Sequence, residues 1–461
     1  MLLITTFWAK AQEEQKIYTL SDVEITGNKW TKEQVILREM NFQEGVSTSL
    51  DNFESKKLET TERLKSLGIF NDVELEYVVS PESPGELVCR IKVVENWYIY
   101  PGVIFELADR NFSEWWFNQG RDLSRTNYGV RLSHINTTGR NDKLVAQVQS
   151  GFKKKYELVY NLPYLNREGT WGAEAFVFFA NQDELPYLTR ENRIIFGGYE
   201  DRILLSRFRA GSALFYRPTI YQHHLFRLEF HQNSVDPIVI QELNSEYFLE
   251  SRKQIRFLYF NYHFTYDRRI SQFYPVGGYQ CVFDFKKEGF GLYNEYNNTQ
   301  VYVDGEYYHT LAPRIVLGLG LKVKANLDRS TVSFANNTAL GYGSDILGGY
   351  YRYVIDGTDY IYSKNNLRYK AFQRKFDLKW LPLRQFRVLN AEIHGRLFAD
   401  VGYVNERTYR ELYDNDFSNR WLYGVGPAVD ILLFNNYMLS FNLGFNHLGE
   451  RDYFFQYRTN F

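Results

Sequence analysis

Two pairs of residues in this sequence have side-chain types and spacing that could support chemistry. Asp304 and Glu306 lie two residues apart in an alternating segment, so their carboxylates would share one strand face and could act as acid and base. His223 and His224 are adjacent and would point to opposite faces of a strand, so they cannot hold one metal ion together. A polar wall along a channel is the preferred interpretation of the carboxylate pair.

Other catalytic patterns are missing from the sequence. It contains no G-x-S-x-G, no P-loop and no H-E-x-x-H, and its two cysteines, Cys89 and Cys281, are too far apart to form a metal-binding motif. We therefore predict no catalytic residue, no metal site, no cofactor and no enzymatic activity, and we expect both cysteines to be structural and unpaired.

The composition restricts the class of protein. The chain has 461 residues with 54 basic and 55 acidic side chains, so it lacks the positive excess of a nucleic-acid-binding protein. Phe, Trp and Tyr make up 18% of it, more than a globular core requires, and transmembrane barrels carry such rings in interfacial girdles. No apolar run reaches the length of a membrane helix, so any membrane-spanning form must be built from strands.

The first eleven residues are typical of an export signal. Residues 1–11 have an apolar centre and end in Ala-Lys-Ala, a small-residue pattern found at signal-peptide cleavage sites. The basic start of such a signal is missing, so we expect a signal peptide with a trimmed beginning. A short buried strand is the alternative interpretation.

Residues 17–95 combine the periodicities of helices and strands. An alternating strand ends at the turn Gly27-Asn28, and two capping boxes, which begin at Thr31 and at Asp51, predict two helices. The second helix is expected to end at Gly68, and two alternating segments follow it. The predicted order is β-α-α-β-β.

Residues 96–461 replace helical periodicity with about sixteen segments of roughly ten residues, each alternating apolar with polar side chains, as in outer-membrane strands. The segment 326–366 is too long for an ordinary connection and is expected to be a functional loop. We predict an all-β transmembrane barrel of about 16 antiparallel strands, preceded by one small α/β domain. A water-soluble sandwich or propeller is the alternative.

The last ten residues are expected to close the barrel. Their aromatic side chains, Tyr453, Phe455, Tyr457 and Phe461, share one face of a period-two strand. An apolar face on an edge strand is stable only against another strand or in lipid. A closed barrel has no edge strands. We therefore expect this strand to pair with the first barrel strand near residues 97–107, and its aromatic face to act as a sorting signal.

The N-terminal module resembles a POTRA domain. The matching features are the strand and turn Val23-x-Ile25-x-Gly27-Asn28, the helix exit Leu64-x-x-x-Gly68-x-Phe70, and the closing Val94-Glu95. The resemblance implies that the motif residues of the domain are Gly27, Asn28, Gly68, Phe70 and Glu95.

The barrel segment resembles that of the BamA, TamA and FhaC superfamily, whose members insert proteins into an outer membrane or pass them across it. Phe398, Asp400 and Gly402 match the F-x-D-x-G wall motif of the family, and Leu347-Gly348-Gly349-Tyr350 stands where the family has a V-R-G-F/Y lid-loop motif. The resemblance implies a bacterial outer-membrane location with the POTRA-like domain in the periplasm. It also implies membrane lipid and unfolded client polypeptides as partners, and it allows accessory lipoproteins.

One departure from the family bears on mechanism. The lid arginine that reaches the wall aspartate in the family is replaced here by Gly348. Arg352 lies four residues further on and would face the same side of an extended segment, so we expect it to become the partner of Asp400 after a shift of the loop. A solvated Arg352 on a mobile loop is the alternative.

Two functions follow from the resemblance. The favoured one is protein insertion or translocation, in which the N-terminal module receives an unfolded client by strand addition. The alternative is a passive or gated pore without client proteins. A pore has no need of a folded module, which favours the first function, whereas the missing lid arginine favours the second.

Overall fold

The computed structural model describes residues 16–459 except for 82, 167, 200, 294–295, 379–387, 408, 410–413 and 435–436. The expected signal peptide and Phe461 lie outside the described residues. The described residues form two compact units: the first contains residues 16–100, 132–144 and 160–169, and the second contains the other described residues. No helix in the described part of the chain is long and apolar enough to cross a membrane.

The first unit is built on a four-stranded sheet with two helices. Its elements are β1 (Ile17–Thr26), α1 (Glu33–Arg38), β2 (Ser47–Ser49), α2 (Leu50–Ser66), β3 (Phe70–Val79) and β4 (Glu86–Glu95). The strand order is β2-β1-β4-β3, with β1 parallel to β4 and the other pairs antiparallel. The expected β-α-α-β-β order is present, with the short strand β2 added between the helices.

Neither helix of this unit begins at its expected capping box. Helix α1 has Lys32 as its N-cap and no side-chain cap, because the Thr31 hydroxyl instead accepts a hydrogen bond from Asn136 Nδ2 at 2.8 Å. Helix α2 is capped by Ser49, whose side chain accepts the backbone N–H of Asn52 at 3.3 Å. The Thr31 hydroxyl is thus engaged by Asn136, and α2 has its N-cap two residues before the expected Asp51.

The core of the first unit lies between the two helices and the sheet. Its completely buried side chains come from both helices and from alternating positions of the strands: Leu20, Ile36, Phe53, Leu64, Leu87 and Cys89. Burial of such a side chain stabilises the fold by about 1.5–3 kcal/mol. Burial also raises the pKa of the Cys89 thiol to about 12, so the group stays protonated and unreactive.

After residue 95 the described chain consists almost entirely of strands. They are β5 (Ile99–Leu107), β6 (Thr126–Ile135), β7 (Lys143–Gly151), β8 (Lys153–Leu162), β9 (Trp171–Gln182), β10 (Glu184–Arg190), β11 (Arg193–Gly198), β12 (Leu205–Thr219), β13 (Gln222–Val235), β14 (Gln254–Asp267), β15 (Gly278–Glu288), β16 (Asn298–Ala312), β17 (Ile315–Asn326), β18 (Thr338–Leu340), β19 (Ile355–Asp356), β20 (Asp359–Asp377), β21 (Val388–Asn405), β22 (Trp421–Leu433), β23 (Tyr437–Asn446) and β24 (Arg451–Thr459).

Sixteen of these strands form one sheet whose order follows the chain from β5 to β24. The pairs β10–β11 and β18–β19 are two-stranded hairpins in the intervening loops. Alternate side chains separate as the sequence predicted: on β17, Leu319 and Leu321 are 41% and 48% exposed, whereas Lys322 points inward to Asp304 at 3.0 Å. The predicted fold class is thereby confirmed.

Strands β5 and β24 stand at the two edges of this sheet. Among the described residues no backbone ladder joins them, so the expected pairing of the last strand with the first is absent there. One backbone carbonyl of β24 is engaged differently, since Tyr453 accepts a hydrogen bond from the Ser113 hydroxyl at 2.9 Å. The segment that follows β5 therefore reaches the edge of β24 through a side chain.

Candidate functional site

The long loop between β17 and β20 folds into a buried cluster. It spans residues 327–358, which is shorter than the expected 326–366, because β20 begins at Asp359 and pairs with both β17 and β21. We call this loop the lid. Its buried residues pack against inward-facing residues of the sheet: Leu340, Leu347, Tyr350 and Ile355 of the lid contact a cluster that includes Tyr362 on β20 and Leu422 on β22. The lid is therefore a folded plug of apolar and aromatic side chains.

The predicted lid motif lies against the predicted wall motif. The backbone N–H of Gly348 donates to Asp400 Oδ2 at 3.0 Å. Leu347 and Tyr350 are each 1% exposed. The Tyr350 hydroxyl contacts His447 Nδ1 at 2.5 Å, which ties the lid to the end of β23. The two motifs thus meet through a backbone donor, where the family pattern would place an arginine side chain.

Glycines allow the lid backbone to touch the wall backbone directly. A Cβ at Gly424 would lie 1.7 Å from the carbonyl oxygen of Gly348, and one at Gly444 would lie 2.5 Å from the nitrogen of Gly349. A Cβ at Gly348 would meet the Phe398 ring at 2.4 Å, so this position has no room for an arginine. The glycine at position 348 therefore fits the close contact of the lid with Phe398, Gly424 and Gly444 on the barrel wall.

The wall-motif residues all face inward from β21. Phe398 and Asp400 are 6% and 3% exposed, and a Cβ at Gly402 would contact the Leu347 side chain at 3.4 Å. The alternate residue Leu397 faces outward and is 60% exposed. Asp400 is paired across the strand ladder with Lys364, yet its Oδ1 atom has no hydrogen-bond partner in the described residues.

Arg352 does not replace the missing lid arginine, and that expectation is wrong. Its Nε donates to Asp452 Oδ1 and its backbone N–H to Asp452 Oδ2, each at 3.0 Å. The chain turns at this point, since Tyr353 N–H donates to the Tyr350 carbonyl at 3.0 Å. An extended segment would have kept Arg352 on the side of Gly348, but the turn directs it to β24.

The lid contacts both edges of the sixteen-stranded sheet. On the β24 side, the Tyr351 ring stacks on Phe454 with centroids 4.6 Å apart. On the β5 side, Arg110 donates to the carbonyls of Gly341 and Tyr353 at 2.9 and 2.8 Å. Side chains and carbonyls of the lid therefore connect the two edges that no backbone ladder joins in the described structure.

A further ion pair holds the lid to β17. Asp345 accepts hydrogen bonds from Lys322 at 3.1 Å and from the Tyr360 hydroxyl at 2.7 Å. Asp304 takes the other side of Lys322, and Glu306 pairs with Arg269 at 2.7 Å. The two carboxylates that could have acted as acid and base are thus each occupied by a separate cation.

Several of these lid contacts were missed from the sequence. Asp345, Asp452 and Arg110 belong to no short motif, and their partners lie far away along the chain. Alternation along the strand indicates that Lys322 faces the inside of the sheet. It does not indicate which residue of another segment lies opposite. In the described part of the chain, no group of three or more His, Cys, Asp or Glu side chains could hold a metal ion.

In the first unit, Glu95 fastens the loop after β1. Its carboxylate accepts the backbone N–H groups of Thr31 and Trp30 at 2.6 and 3.0 Å. Partial burial opposes ionisation, but these hydrogen bonds outweigh it and lower the pKa of Glu95 below its usual value. Gly27 begins this loop with φ +89°, and a Cβ there would lie 2.0 Å from the Val93 carbonyl.

The other expected motif residues of this unit are structural. Asn28 Nδ2 donates to the Thr31 carbonyl at 3.2 Å within the same loop. Gly68 adopts φ +71° directly after α2, and Phe70 is 5% exposed at the start of β3. A left-handed residue after a helix is the usual place for glycine, so Gly68 ends α2 as expected.

Residues 18–96 match the family model described as POTRA, surface antigen variable number repeat. This segment is a POTRA domain. The whole chain is similar to the crystal structure of BamA from Haemophilus ducreyi lacking POTRA domains 1–3, with 14% identity, a TM-score of 0.67, and coverage of 96% of this chain and 85% of that one. The chain therefore combines one POTRA domain with the barrel fold of BamA.

The barrel is also similar to CdiB. CdiB from Escherichia coli has 13% identity and a TM-score of 0.55, with coverage of 96% of this chain and 76% of that one. CdiB from Acinetobacter baumannii has 12% identity and a TM-score of 0.50, with coverage of 96% and 73%. No curated protein sequence matches this chain. The resemblance drawn from the motifs is confirmed for the POTRA domain and for the barrel fold.

The POTRA domain presents one long edge strand. In the order β2-β1-β4-β3, the ten-residue strand β3 has a neighbour on one side only, and the other edge is the three-residue strand β2. Strand β4 lies between β1 and β3, so residues 87–93 do not form an exposed edge. Strand addition to this domain would therefore use residues 70–79.

Proposed function

We propose that this protein inserts polypeptides into the bacterial outer membrane or passes them across it, and that it performs no enzymatic reaction. The observation that carries the proposal is the lid, which contacts both β5-side and β24-side residues where the described sheet has no ladder. A passive pore does not require a folded lid that contacts residues at both edges of the sheet. The POTRA domain and the BamA fold support the same function.

Lipid is the proposed solvent of the outer sheet face. Outward side chains such as Leu397, Val425, Phe441 and Tyr457 are 60%, 47%, 50% and 57% exposed. An apolar face of this kind is unfavourable in water and suits a bilayer. We accordingly place the barrel in the outer membrane and the POTRA domain in the periplasm, with accessory lipoproteins as further candidate partners.

The POTRA domain is proposed to receive the client at the free edge of β3. An extended segment would add to that edge through backbone hydrogen bonds, which makes binding largely independent of the client sequence. Exposed side chains of β3 alternate with buried ones, so Glu74 and Glu76 would flank the added strand while Val73 and Leu75 stay in the core.

Site-specific crosslinking in cells tests this assignment. A photoreactive side chain at position 76 should trap immature outer-membrane or secreted polypeptides. Position 90 is the matched control, because Arg90 is the ladder partner of Glu76 and is also exposed, but it lies on the central strand β4. Equal adduct yields at both positions, or none at either, would contradict capture at the β3 edge.

A gated pore is the second candidate function, and the observation that favours it is Gly348 in place of the lid arginine. Conductance of the full chain in bilayers, measured with and without lid residues 340–353, separates the two. High conductance of the intact chain without any client crosslinks would favour the pore.

We also propose that the outward aromatic residues Tyr453, Phe455 and Tyr457, together with Phe461, act as the sorting signal of this chain.

A further inference from the structure

Three inward-facing cations of the barrel wall have no carboxylate partner. Among the residues that the structure describes, neither Lys153 on β8 nor Arg207 and Arg209 on β12 forms an ion pair, although all three are partly buried. Neighbouring cations on the same wall are compensated, since Lys155 pairs with Glu157 at 3.2 Å and Arg227 with Glu174 at 3.5 Å. Lys153, Arg207 and Arg209 therefore differ from Lys155 and Arg227 in having no ion-pair partner among the described residues.

The contacts of these cations are neutral. Lys153 and Arg209 lie over the same ring, that of Phe178, with each charged centre 5.6 Å from the ring centroid. Arg207 donates to the side-chain oxygen of Gln182. The Nε of Arg209 is buried and has no hydrogen-bond partner. A cation–π contact offsets only part of the free energy that it costs to bury an unpaired ion.

The two arginines line a cavity of about 320 Å³. Polar groups on other elements face the same space, including Asn233 on β13 and Asn336 and Tyr342 of the lid. Aromatic rings of Tyr247, Phe248 and Phe334 form its remaining walls. The side-chain oxygen of Asn233 is buried without a hydrogen-bond partner, as is the Arg209 Nε. Arg209 and Asn233, each with one unpartnered polar atom, thus line the same cavity.

We propose that this cavity binds a phosphate group, and that Arg207 and Arg209 are its ligands. A guanidinium presents a planar pair of donors that matches two oxygens of a phosphate, and Lys153 on the adjoining wall would add a point charge. The cavity has the size of a small-ligand site, with room for more than a bare anion. A phosphorylated lipid headgroup and free phosphate share this chemistry. The proposal is independent of client assembly.

Binding is tested with the full chain in detergent. Titration of inorganic phosphate, followed by calorimetry and by the thermal unfolding midpoint, should show saturable binding that raises the midpoint. Arg209→Gln and Arg207→Gln should each weaken phosphate affinity at least tenfold. Arg227→Gln is the matched control, because Arg227 faces the same lumen but is already compensated, and it should change affinity less than twofold.

A second arm separates the two sources of phosphate. The chain is reconstituted in vesicles of phosphatidylcholine with or without phosphatidic acid, and the unfolding midpoint is compared. A shift with phosphatidic acid alone assigns the site to a lipid headgroup, and a shift with inorganic phosphate assigns it to the free anion. No saturable shift in either arm overturns the proposal, as does an equal loss in Arg227→Gln. If a glutamine variant fails to fold, Arg209→Lys keeps the charge and should still weaken binding through loss of the paired donors.

Discussion

Two carboxylates in this protein accept backbone N–H groups from a glycine-containing loop, and they do so under different conditions. Glu95 of the POTRA domain takes two such groups, from Trp30 and Thr31, and stays partly exposed. Asp400 of the barrel wall takes one, from Gly348, and is 3% exposed with its second oxygen unpartnered. The Glu95 carboxylate therefore has hydrogen-bond partners and remains partly exposed to solvent, whereas the buried Asp400 carboxylate has one oxygen without a partner.

The difference shows what positions each loop. The Glu95 contact is sufficient to define the turn after β1, because two charge-assisted hydrogen bonds act on adjacent residues. A single hydrogen bond to Asp400 cannot hold a lid of about thirty residues, since its net contribution is about 1.5–3 kcal/mol at most. The lid is positioned instead by backbone packing on Gly424 and Gly444 and by the contact of Arg352 with Asp452.

The largest effect is expected from Gly424→Val. A side chain there would overlap the Gly348 carbonyl, which would lie 1.7 Å from the new Cβ, so the lid has to leave the wall. In a Cys281→Ser background, a cysteine at the lid residue Ala339, which is 5% exposed, should react with a soluble maleimide at least tenfold faster. Gly395→Val is the control, because no atom lies within 4 Å of a Cβ at that position. Unchanged labelling in Gly424→Val would show that wall packing does not place the lid.

The next largest effect is expected from Arg352→Ala. Removal of the guanidinium leaves the buried carboxylate of Asp452 without its cation, which costs about 3 kcal/mol at a buried pair. Hydrogen exchange at residues 345–354 should accelerate accordingly, and Asp452→Asn in the same chain should recover part of the protection. Arg329→Ala is the matched control, since Arg329 is 61% exposed in its pair with Asp359 and should change exchange very little.

A smaller effect that depends on pH is expected from Glu95→Gln. Loss of the carboxylate charge should weaken protection of the amides of residues 29–32 by about 1 kcal/mol at pH 7. Because the pKa of Glu95 is lowered by folding, its contribution is complete above the unfolded pKa of about 4.3 and is lost as pH falls through the folded value. Exchange rates corrected for pH should therefore show this loss in the native chain and not in Glu95→Gln. The same pH dependence of exchange in both chains would show that the charge of Glu95 does not stabilise this loop.

The smallest effect is expected from Asp400→Asn. The side-chain oxygen of Asn can still accept the Gly348 N–H, and the substitution removes a buried charge whose second oxygen has no partner. The unfolding midpoint and the reactivity of a cysteine at Ala339 should stay close to those of the chain with native Asp400. A large increase in that reactivity would mean that the charge of Asp400 holds the lid and that the two carboxylates act alike.

The sequence by itself determined the elements and their faces. Period-two alternation identified the strands, and the structure has the two faces that alternation implies, with Lys322 and Asp400 inside and Leu397 outside, because a strand presents successive residues to opposite sides. Turn glycines and apolar spacing predicted the β-α-α-β-β order of the first unit, and the resemblance of its motif residues to a POTRA domain supplied the family. These properties are local, so a single chain can be searched for them.

Tertiary structure decided the partners. The Thr31 hydroxyl was taken by Asn136 and did not cap α1, and Arg352 met Asp452 because the lid turns at residues 350–353. The anchor of Asp345 on Lys322 and the missing ladder between β5 and β24 likewise depend on segments distant in the chain. Alternation fixes the direction of a side chain but carries no record of which distant residue stands opposite, and that choice is made only when all the strands and the lid share one interior.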